Sequence, residues 1–206
     1  MTIRAIIFDL GGVLVRTDDR GPRERLAARL NMTYDELSAL VYDSETAIRA
    51  TLGEVSSQGH WEAVRAALKL SEEDLQGLAS EFWGGDRLDH ELVEYVRGLR
   101  PQFKTALLSN AWDDLRIALE GQWSILNAFD EVIISAEVGL AKPDPRVFHL
   151  ALERLGVKPT EAVFVDDFLH NVEGARAVGM KAIHFRNSEQ ARADLGALLN
   201  QHRDGD

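Results

Sequence analysis

Two apolar segments of the sequence each end in acidic side chains. Asp9 comes directly after the apolar run at residues 5–8, at a glycine turn, and the pair Asp166-Asp167 follows the apolar run at residues 162–165. Open parallel sheets place ligands at the carboxyl ends of their strands, so we expect the three carboxylates to share one site. Three carboxylates in one cleft repel each other unless a cation neutralises them. An all-oxygen ligand set favours Mg²⁺.

Asp9 and three further residues have side chains or positions suited to this chemistry. Asp9 is either a nucleophilic carboxylate or a cap of the turn that follows it. Ser109 and Asn110 follow another apolar run, where they either cap a helix or bind an anion at its N-terminus. Lys142 precedes Pro143, and its ammonium either faces solvent or reaches back over the acidic cluster.

The elements that must position these residues alternate along the chain. Apolar runs typical of strands buried on both faces occur at residues 3–8, 105–108, 131–134, 162–165 and 182–185. Apolar residues at helical spacing separate the last four, at residues 115–119, 147–155 and 172–178. Strands that alternate with helices predict an α/β fold, a Rossmann-like doubly wound parallel sheet covered on both faces.

The segment between the first and second strands has a different pattern. Residues 16–85 are nearly all helical in pattern, with a capping box at Thr33–Glu36, a second cap at Ser71 and a break at residues 53–57. A helical block inserted directly after the first strand predicts an α-helical cap over the carboxyl end of the sheet. We therefore expect a core of residues 1–15 and 86–206 and a cap of residues 16–85.

Composition narrows the function further. The chain has 206 residues, a net charge of −11 and no cysteine. The acidic balance argues against nucleic-acid and anionic-membrane partners, because those need clustered Lys and Arg. Without cysteine there is no disulfide or thiolate chemistry, which fits a reducing compartment. The apolar run before Asp9 is too short for a signal peptide or a membrane span, so we expect a cytoplasmic protein.

Four motifs in a fixed order carry a family resemblance. The chain contains, in sequence order, FDLGGVLV, LLSN, GLAKPDP and FVDDFLHNVEGA. It resembles the haloacid dehalogenase (HAD) superfamily of phosphohydrolases, in the subgroup with a helical cap after the first motif. Residues 107–185 are especially similar to the amino-terminal phosphatase domain of soluble epoxide hydrolases and to small sugar-phosphate phosphatases. The resemblance covers nearly the whole chain.

The resemblance implies roles for the residues above. Asp9 would be the nucleophile, Ser109 and the Asn110 backbone would hold phosphate oxygens, and Lys142 would neutralise charge between Asp9 and phosphate. The metal site would comprise Asp9, the backbone carbonyl of Gly11, and the two consecutive acids. Asp167 would bind Mg²⁺ directly, and Asp166 directly or through water. The implied activity is Mg²⁺-dependent hydrolysis of a small phosphorylated metabolite, such as a sugar phosphate, through an aspartyl-phosphate. We expect a monomer or a homodimer.

Gly11 departs from the family pattern. The family places an acid–base Asp at this position, and that help is worth about 10²–10⁴-fold in rate. The glycine suggests a substrate whose leaving group needs little protonation, or a proton from a water, a substrate hydroxyl or a cap residue. Two alternatives follow: a HAD-fold binding or regulatory protein with weak or no turnover, and a 2-haloacid dehalogenase. That branch carries small polar residues in place of Asp166-Asp167.

Several other polar residues leave two readings open. Asp113 and Asp114 suit capping better than substrate contact, and His170 suits a helix surface better than the site. Asn171 lies in the turn after Asp166-Asp167, where its side chain either orients one of these carboxylates or has no role in the site. His60-Trp61 suits packing in the cap. A final set, at the junction of core and cap, is either hinge surface or substrate contact: Arg16, Asp18 and Asp19.

Overall fold

A five-stranded parallel sheet forms the centre of the molecule. The computed structural model describes residues 2–200, apart from the side chains of residues 75 and 76. Met1 and residues 201–206 of the predicted core lie outside the described residues. The sheet has the order β5-β4-β1-β6-β7. The strands are β1 (Ala5–Phe8), β2 (Val15–Thr17), β3 (Asp86–Leu88), β4 (Lys104–Ser109), β5 (Glu131–Ile134), β6 (Ala162–Asp166) and β7 (Lys181–His184).

The helices fall into a group inserted after the first strands and a group that alternates with the sheet strands. The first group is α1 (Gly21–Arg29), α2 (Tyr34–Tyr42), α3 (Glu45–Thr51), α4 (Ser57–Leu68) and α5 (Glu72–Phe82). The second group is α6 (His90–Leu99), α7 (Leu115–Ile117), α8 (Ser135–Val138), α9 (Pro145–Leu155), α10 (Leu169–Ala177) and α11 (Ser188–Asn200). This is the predicted α/β, Rossmann-like architecture.

The central strand β1 shows why the apolar runs become buried strands. Ile6 and Phe8 pack into one core cluster with α6 and α11, whereas Ala5 and Ile7 pack into a second cluster with α9. Because side chains alternate across a strand, a strand covered by helices on both faces must be apolar at every position. All four residues of β1 are buried.

The inserted helices have a core cluster of their own. It contains Leu26, Leu37, Trp61 and Phe82, and it also takes in Trp112 from the loop after β4. The helix ends confirm the sequence signals. Thr33 and Ser71 both form capping boxes, and no helix occupies residues 53–56 between α3 and α4.

Two local features differ from the predicted pattern. Residues 15–17 and 86–88 form an antiparallel two-stranded ribbon where the inserted helices leave and rejoin the core. Such short polar strands carry no apolar alternation, so the sequence does not reveal them. The helix predicted at residues 115–119 is α-helical only to Ile117 and continues as a π-helical turn, Ala118–Gln122. Buried Leu115 and Leu119 are four residues apart, a spacing that both helix types accommodate.

Within residues 2–200, no helix combines the length and the apolar character needed to cross a bilayer.

Candidate active site

The structure brings the three predicted carboxylates together. β1 and β6 are parallel neighbours with Phe8 opposite Val165, so Asp9 and Asp166 occupy adjacent positions at the carboxyl edge of the sheet. One carboxylate oxygen from each of Asp9, Asp166 and Asp167 lies within 4.8 Å of the others. Asp9 and Asp166 are buried and Asp167 is half-buried.

Lys142 lies inside this acidic cluster. Its Nζ is 2.7 Å from Asp9 Oδ1 and 2.7 Å from Asp166 Oδ2, and its side chain is 1% exposed. With every group ionised, three carboxylates and one ammonium sum to a charge of −2. The ammonium therefore offsets part of the repulsion and leaves a charge that a divalent cation would balance.

Asp166 and Asp167 have different surroundings although they are adjacent in sequence. The Asp166 carboxylate accepts hydrogen bonds from Lys142 Nζ, from the Phe168 backbone N–H at 2.8 Å, and from Asn171 Nδ2 at 3.1 and 3.2 Å. Asn171 thus orients a carboxylate, one of the two readings left open by the sequence. Among the described residues, Asp167 Oδ1 is buried and has no hydrogen-bond partner.

Gly12 determines how closely the chain approaches Asp167. Its φ is +77°, and a Cβ at this position would lie 2.1 Å from Asp167 Oδ2. Glycine is required here for both reasons, because other residues disfavour that backbone conformation and because a side chain would displace the carboxylate.

Burial changes the ionisation of the cluster. Burial raises the pKa of Asp9 to about 7, with the Lys142 ammonium acting in the opposite direction and the Asp166 charge adding to the rise. Burial and the neighbouring Asp166 charge also raise the pKa of Asp167. A cation placed among these oxygens would favour the ionised carboxylates.

Ser109 and Asn110 lie next to the cluster because β4 is the other neighbour of β1. Ser109 is buried at the carboxyl end of β4. The Asn110 side chain donates to Lys142 O at 2.9 Å, and its Oδ1 accepts from Lys142 N at 2.8 Å. These two bonds hold the backbone of the lysine that enters the cluster.

Gly11 is exposed and differs from Gly12. Its φ lies outside the left-handed region, and a Cβ built on it would have no atom within 4 Å. The loop therefore has room for a side chain at position 11, and the absence of an acid there is not imposed by the backbone.

The remaining candidates lie in other surroundings. His170 is exposed on α10 and packs against Phe168, as expected for a helix surface. Arg16 pairs with Asp89 at 2.9 Å beside the ribbon. Asp18 and Asp19 are exposed, and Asp19 accepts from the Gly21 backbone N–H. His60 and Trp61 are buried among the inserted helices, which confirms the packing interpretation.

Two contacts between the core and the inserted helices were not expected from the sequence. Trp112 is buried among the rings of the inserted helices. Asp113 contacts the first turn of α4, whose N-cap is Ser56, and its Oδ1 accepts from the Ser57 backbone N–H at 2.8 Å. The only signal in the sequence for contact between this loop and the inserted helices is Trp112, a large aromatic residue two positions after Asn110. Asp114 occupies the N-cap position of α7 without a side-chain cap bond.

The motif order and the cluster geometry agree with comparison to known proteins. The sequence profile described as haloacid dehalogenase-like hydrolase matches residues 3–179. The chain belongs to the haloacid dehalogenase-like hydrolase family. That family is one of hydrolases, and named phosphatases are among the relatives of this chain.

Two curated relatives illustrate the range of this similarity. Bifunctional epoxide hydrolase 2 of Rattus norvegicus is 25% identical over 95% of this chain, which spans only 38% of that protein. Phosphatase MT3486 of Mycobacterium tuberculosis is 28% identical, with 97% of this chain and 98% of the relative covered.

Solved structures share the fold. The HAD family enzyme bt-2542 from Bacteroides thetaiotaomicron, in complex with magnesium and inorganic phosphate, has a TM-score of 0.75 at 20% identity, covering 89% of this chain and 94% of its own. L-2-haloacid dehalogenase from Xanthobacter autotrophicus has a TM-score of 0.63 at 26% identity, covering 93% of this chain and 82% of its own. At 20% identity, the similarity to bt-2542 shows a shared fold and nothing more.

Proposed function

We propose that this protein is a Mg²⁺-dependent phosphomonoester hydrolase that acts on a small phosphorylated metabolite through an aspartyl-phosphate on Asp9. The observation that carries the proposal is the cluster of Asp9, Asp166 and Asp167, with the Lys142 ammonium between the first two. Phosphate monoesters are anions, so a site for them needs positive charge beyond one lysine.

The donor set fits Mg²⁺. Asp9, Asp167 and the Gly11 carbonyl would hold the ion, because Asp167 Oδ1 is buried without a partner among the described residues and hard oxygen donors suit Mg²⁺. Asp166 already accepts from Lys142, Asn171 and Phe168, so we assign it to orienting Lys142 and to metal contact through water. When bound, Mg²⁺ supplies charge neutralisation between the carboxylates and the phosphoryl group.

The reaction would proceed in two steps on Asp9. In the first, the Asp9 carboxylate attacks phosphorus, the new Asp9–phosphoryl bond forms, and the bond to the leaving oxygen breaks. Lys142 and the Ser109-Asn110 segment would stabilise the charge on the phosphoryl oxygens. In the second, water attacks phosphorus, phosphate leaves, and the Asp9 carboxylate is regenerated.

Hydrolysis of acetyl phosphate and an aryl phosphate tests the proposal, because neither leaving group needs a strong acid. We expect turnover with Mg²⁺, loss of turnover with EDTA, and no turnover in Asp9→Asn. Asp9→Asn keeps the shape of the side chain, and it should also abolish trapping of the fluoroberyllate adduct that mimics an aspartyl-phosphate. Activity of Asp9→Asn near that of the native protein would rule out the covalent mechanism.

The same protein preparation tests dehalogenation. Metal-independent release of halide from a 2-haloacid, without phosphatase activity, would favour the dehalogenase alternative.

Cytoplasmic location, division into core and cap, and a monomeric or homodimeric state remain proposals from the sequence. A screen of phosphorylated metabolites that compares sugar 1-phosphates with 6-phosphates would identify the substrate class.

A further inference from the structure

The loop of residues 110–113, directly after Ser109, is supported from the core side by α8. Ser135 Oγ accepts from the Ala111 N–H at 2.9 Å and donates to the Ala111 carbonyl at 3.1 Å. Ser135 is 1% exposed. This pair of bonds, made by a buried side chain, fixes the middle of the loop to the first residue of α8.

The same loop is supported from the other side by the inserted helices. The Trp112 ring lies 4.6 Å from the His60 ring, 5.9 Å from Trp61 and 6.1 Å from Trp83 between centroids. Asp113 Oδ1 accepts from the Ser57 N–H in the first turn of α4. Two consecutive loop residues thus contact the cap.

The cap also rests directly on α8. Gly53, in the turn between α3 and α4, has a φ of +73°, and a Cβ there would lie 2.1 Å from the Ala136 carbonyl oxygen. Ala136 follows Ser135, which holds the loop. The cap therefore docks on the same part of the core that supports residues 110–113.

The first residue of the loop completes a series of contacts that reaches the acidic cluster. Asn110 bonds both the N–H and the carbonyl of Lys142, and Lys142 Nζ contacts Asp9 and Asp166. Every step from α4 to Asp9 is a hydrogen bond, an ion pair or a step along the short loop.

We propose that Trp112 and Asp113 are positioning residues that transmit docking of the cap to Asn110 and Lys142. The proposal rests on the phosphatase function proposed above, since Lys142 and the Ser109-Asn110 segment are its phosphate-binding groups. With the cap docked, residues 110–113 have support on both sides. With the cap displaced, the loop keeps only its core-side bonds, with Ser135, with the Ala136 N–H and with the Lys142 backbone, and Lys142 is less firmly oriented.

Ser57→Pro tests the link from the cap side. Ser57 is the first residue of α4 and follows Ser56, whose ψ of 158° is extended. Proline at position 57 fits the first turn of a helix, and the extended backbone of Ser56 tolerates a proline after it. The substitution removes the N–H that donates to Asp113, and it changes no charge and no residue of the site. Asp113→Ala removes the same bond from the core side. Asp113→Asn keeps an acceptor oxygen and should restore native behaviour.

The primary measurement is amide exchange at Lys142, followed by NMR in the native chain and the variants without substrate. Local opening of the loop should speed this exchange about tenfold in Ser57→Pro and Asp113→Ala, and no further in the double variant. Since small misplacements of positioned groups slow chemistry, kcat for acetyl phosphate should fall about tenfold in both single variants, with little change in the Mg²⁺ requirement.

Ser71→Ala is the matched control. It removes the N-cap of α5, a helix of the same cap, at a point where the cap bond is exposed and internal to the helix end. It should leave Lys142 exchange and kcat unchanged. Unchanged Lys142 exchange in both Ser57→Pro and Asp113→Ala would overturn the coupling while leaving the phosphatase proposal standing. Faster exchange in a protein that hydrolyses no phosphate ester would do the reverse.

Discussion

Among residues 2–200, the sheet-containing part and the inserted helices, which we propose as core and cap, each contain one buried cation, and the contacts of the two differ. Lys142 in the core lies 2.7 Å from two carboxylates. Arg23 in the cap has one carboxylate, Asp86, at 3.4 Å, and its guanidinium carbon lies 4.0 Å from the centre of the Phe82 ring. Its Nε donates to the Phe82 carbonyl and its Nη1 to the Tyr34 hydroxyl.

This difference separates a cation used for charge from a cation used for packing. A compact ammonium among carboxylates leaves a site that still carries net negative charge. A planar guanidinium is weakly hydrated, stacks on rings and satisfies several acceptors at once. We therefore expect loss of Lys142 to affect mainly activity and loss of Arg23 to affect mainly the free energy of unfolding.

Lys142→Met should give the largest effect. It keeps the length of the side chain but removes the charge that would stabilise the transferring phosphoryl group, so kcat should fall about 10²–10³-fold. Steady-state kinetics with acetyl phosphate measures the loss, and circular dichroism checks that the variant is folded. A decrease in kcat of less than about threefold would show that Lys142 does not take part in the mechanism.

Arg23→Met should lower the free energy of unfolding by about 3 kcal/mol, because it leaves Asp86 without its buried partner and removes the cation–ring contacts. Urea unfolding measures the change. Activity well below the unfolding transition should stay near the native value. Arg23→Lys should recover less than half of the stability, since an ammonium lacks the planar fork. Full recovery would show that charge alone matters in the cap.

Asp167→Ala and Asp166→Ala should separate the two acids of the core. Loss of a group that orients a ligand typically costs about 10–100-fold in metal affinity, which we expect for Asp166, and Asp167→Ala should cost more. Mg²⁺ titration of activity, together with Mg²⁺ binding measured by calorimetry, gives both values. Superimposable titration curves would refute our assignment of Asp167 as the direct ligand.

Gly11→Asp should change the dependence of rate on the leaving group. In the native protein, log(kcat/KM) should fall steeply as leaving-group pKa rises, because no side chain at position 11 donates a proton. The open space at this position admits an aspartate. Alkyl phosphates should then gain about tenfold or more, and acetyl phosphate little. Gly11→Ala controls for the added bulk. A shallow slope in the native protein, with chemistry rate-limiting, would mean that another group donates the proton.

His60 gives the smallest expected effect, on the pH dependence of stability. Burial lowers the pKa of His60. In the unfolded chain a histidine titrates near pH 6.5, so below about pH 6.5 the unfolded state binds more protons and stability decreases until the folded-state pKa is passed. Thermal unfolding between pH 8 and 5 should show a smaller decrease in His60→Gln, which does not titrate. Parallel curves for the two proteins would exclude this contribution.

The sequence predicted the strands that position the acidic site better than the contacts that hold the cap. Residues 5–8 and 162–165 are apolar at every position because helices cover both faces of the sheet, and that pattern is visible without a structure. The ribbon of β2 and β3 was not predicted, because strands of three residues are too short to show such a pattern. The burial of Arg23 was not predicted either, because nothing in the sequence distinguishes it from Arg20 or Arg25.

The site shows the same limit. We expected Asp9, Asp166 and Asp167 to converge because they follow apolar strands of one parallel sheet. That β1 and β6 are neighbours in this sheet is seen only in the structure. The different surroundings of Asp166 and Asp167 depend on where the turn after β6 directs each side chain. The contact of Asp113 with α4 joins segments far apart in sequence, and only the folded chain reveals it.

The central place of β1 in the sheet has a consequence for how the chain folds during synthesis. Ile6 pairs with Thr105 on one side and Val163 on the other, so β1 is synthesised before both of its partner strands and must wait for them. At about 5–20 residues per second, that wait lasts on the order of ten seconds or more. The inserted helices contact each other locally and can form earlier. Meanwhile the apolar β1 segment stays unpaired, and transiently exposed apolar strands of this kind are prone to aggregate.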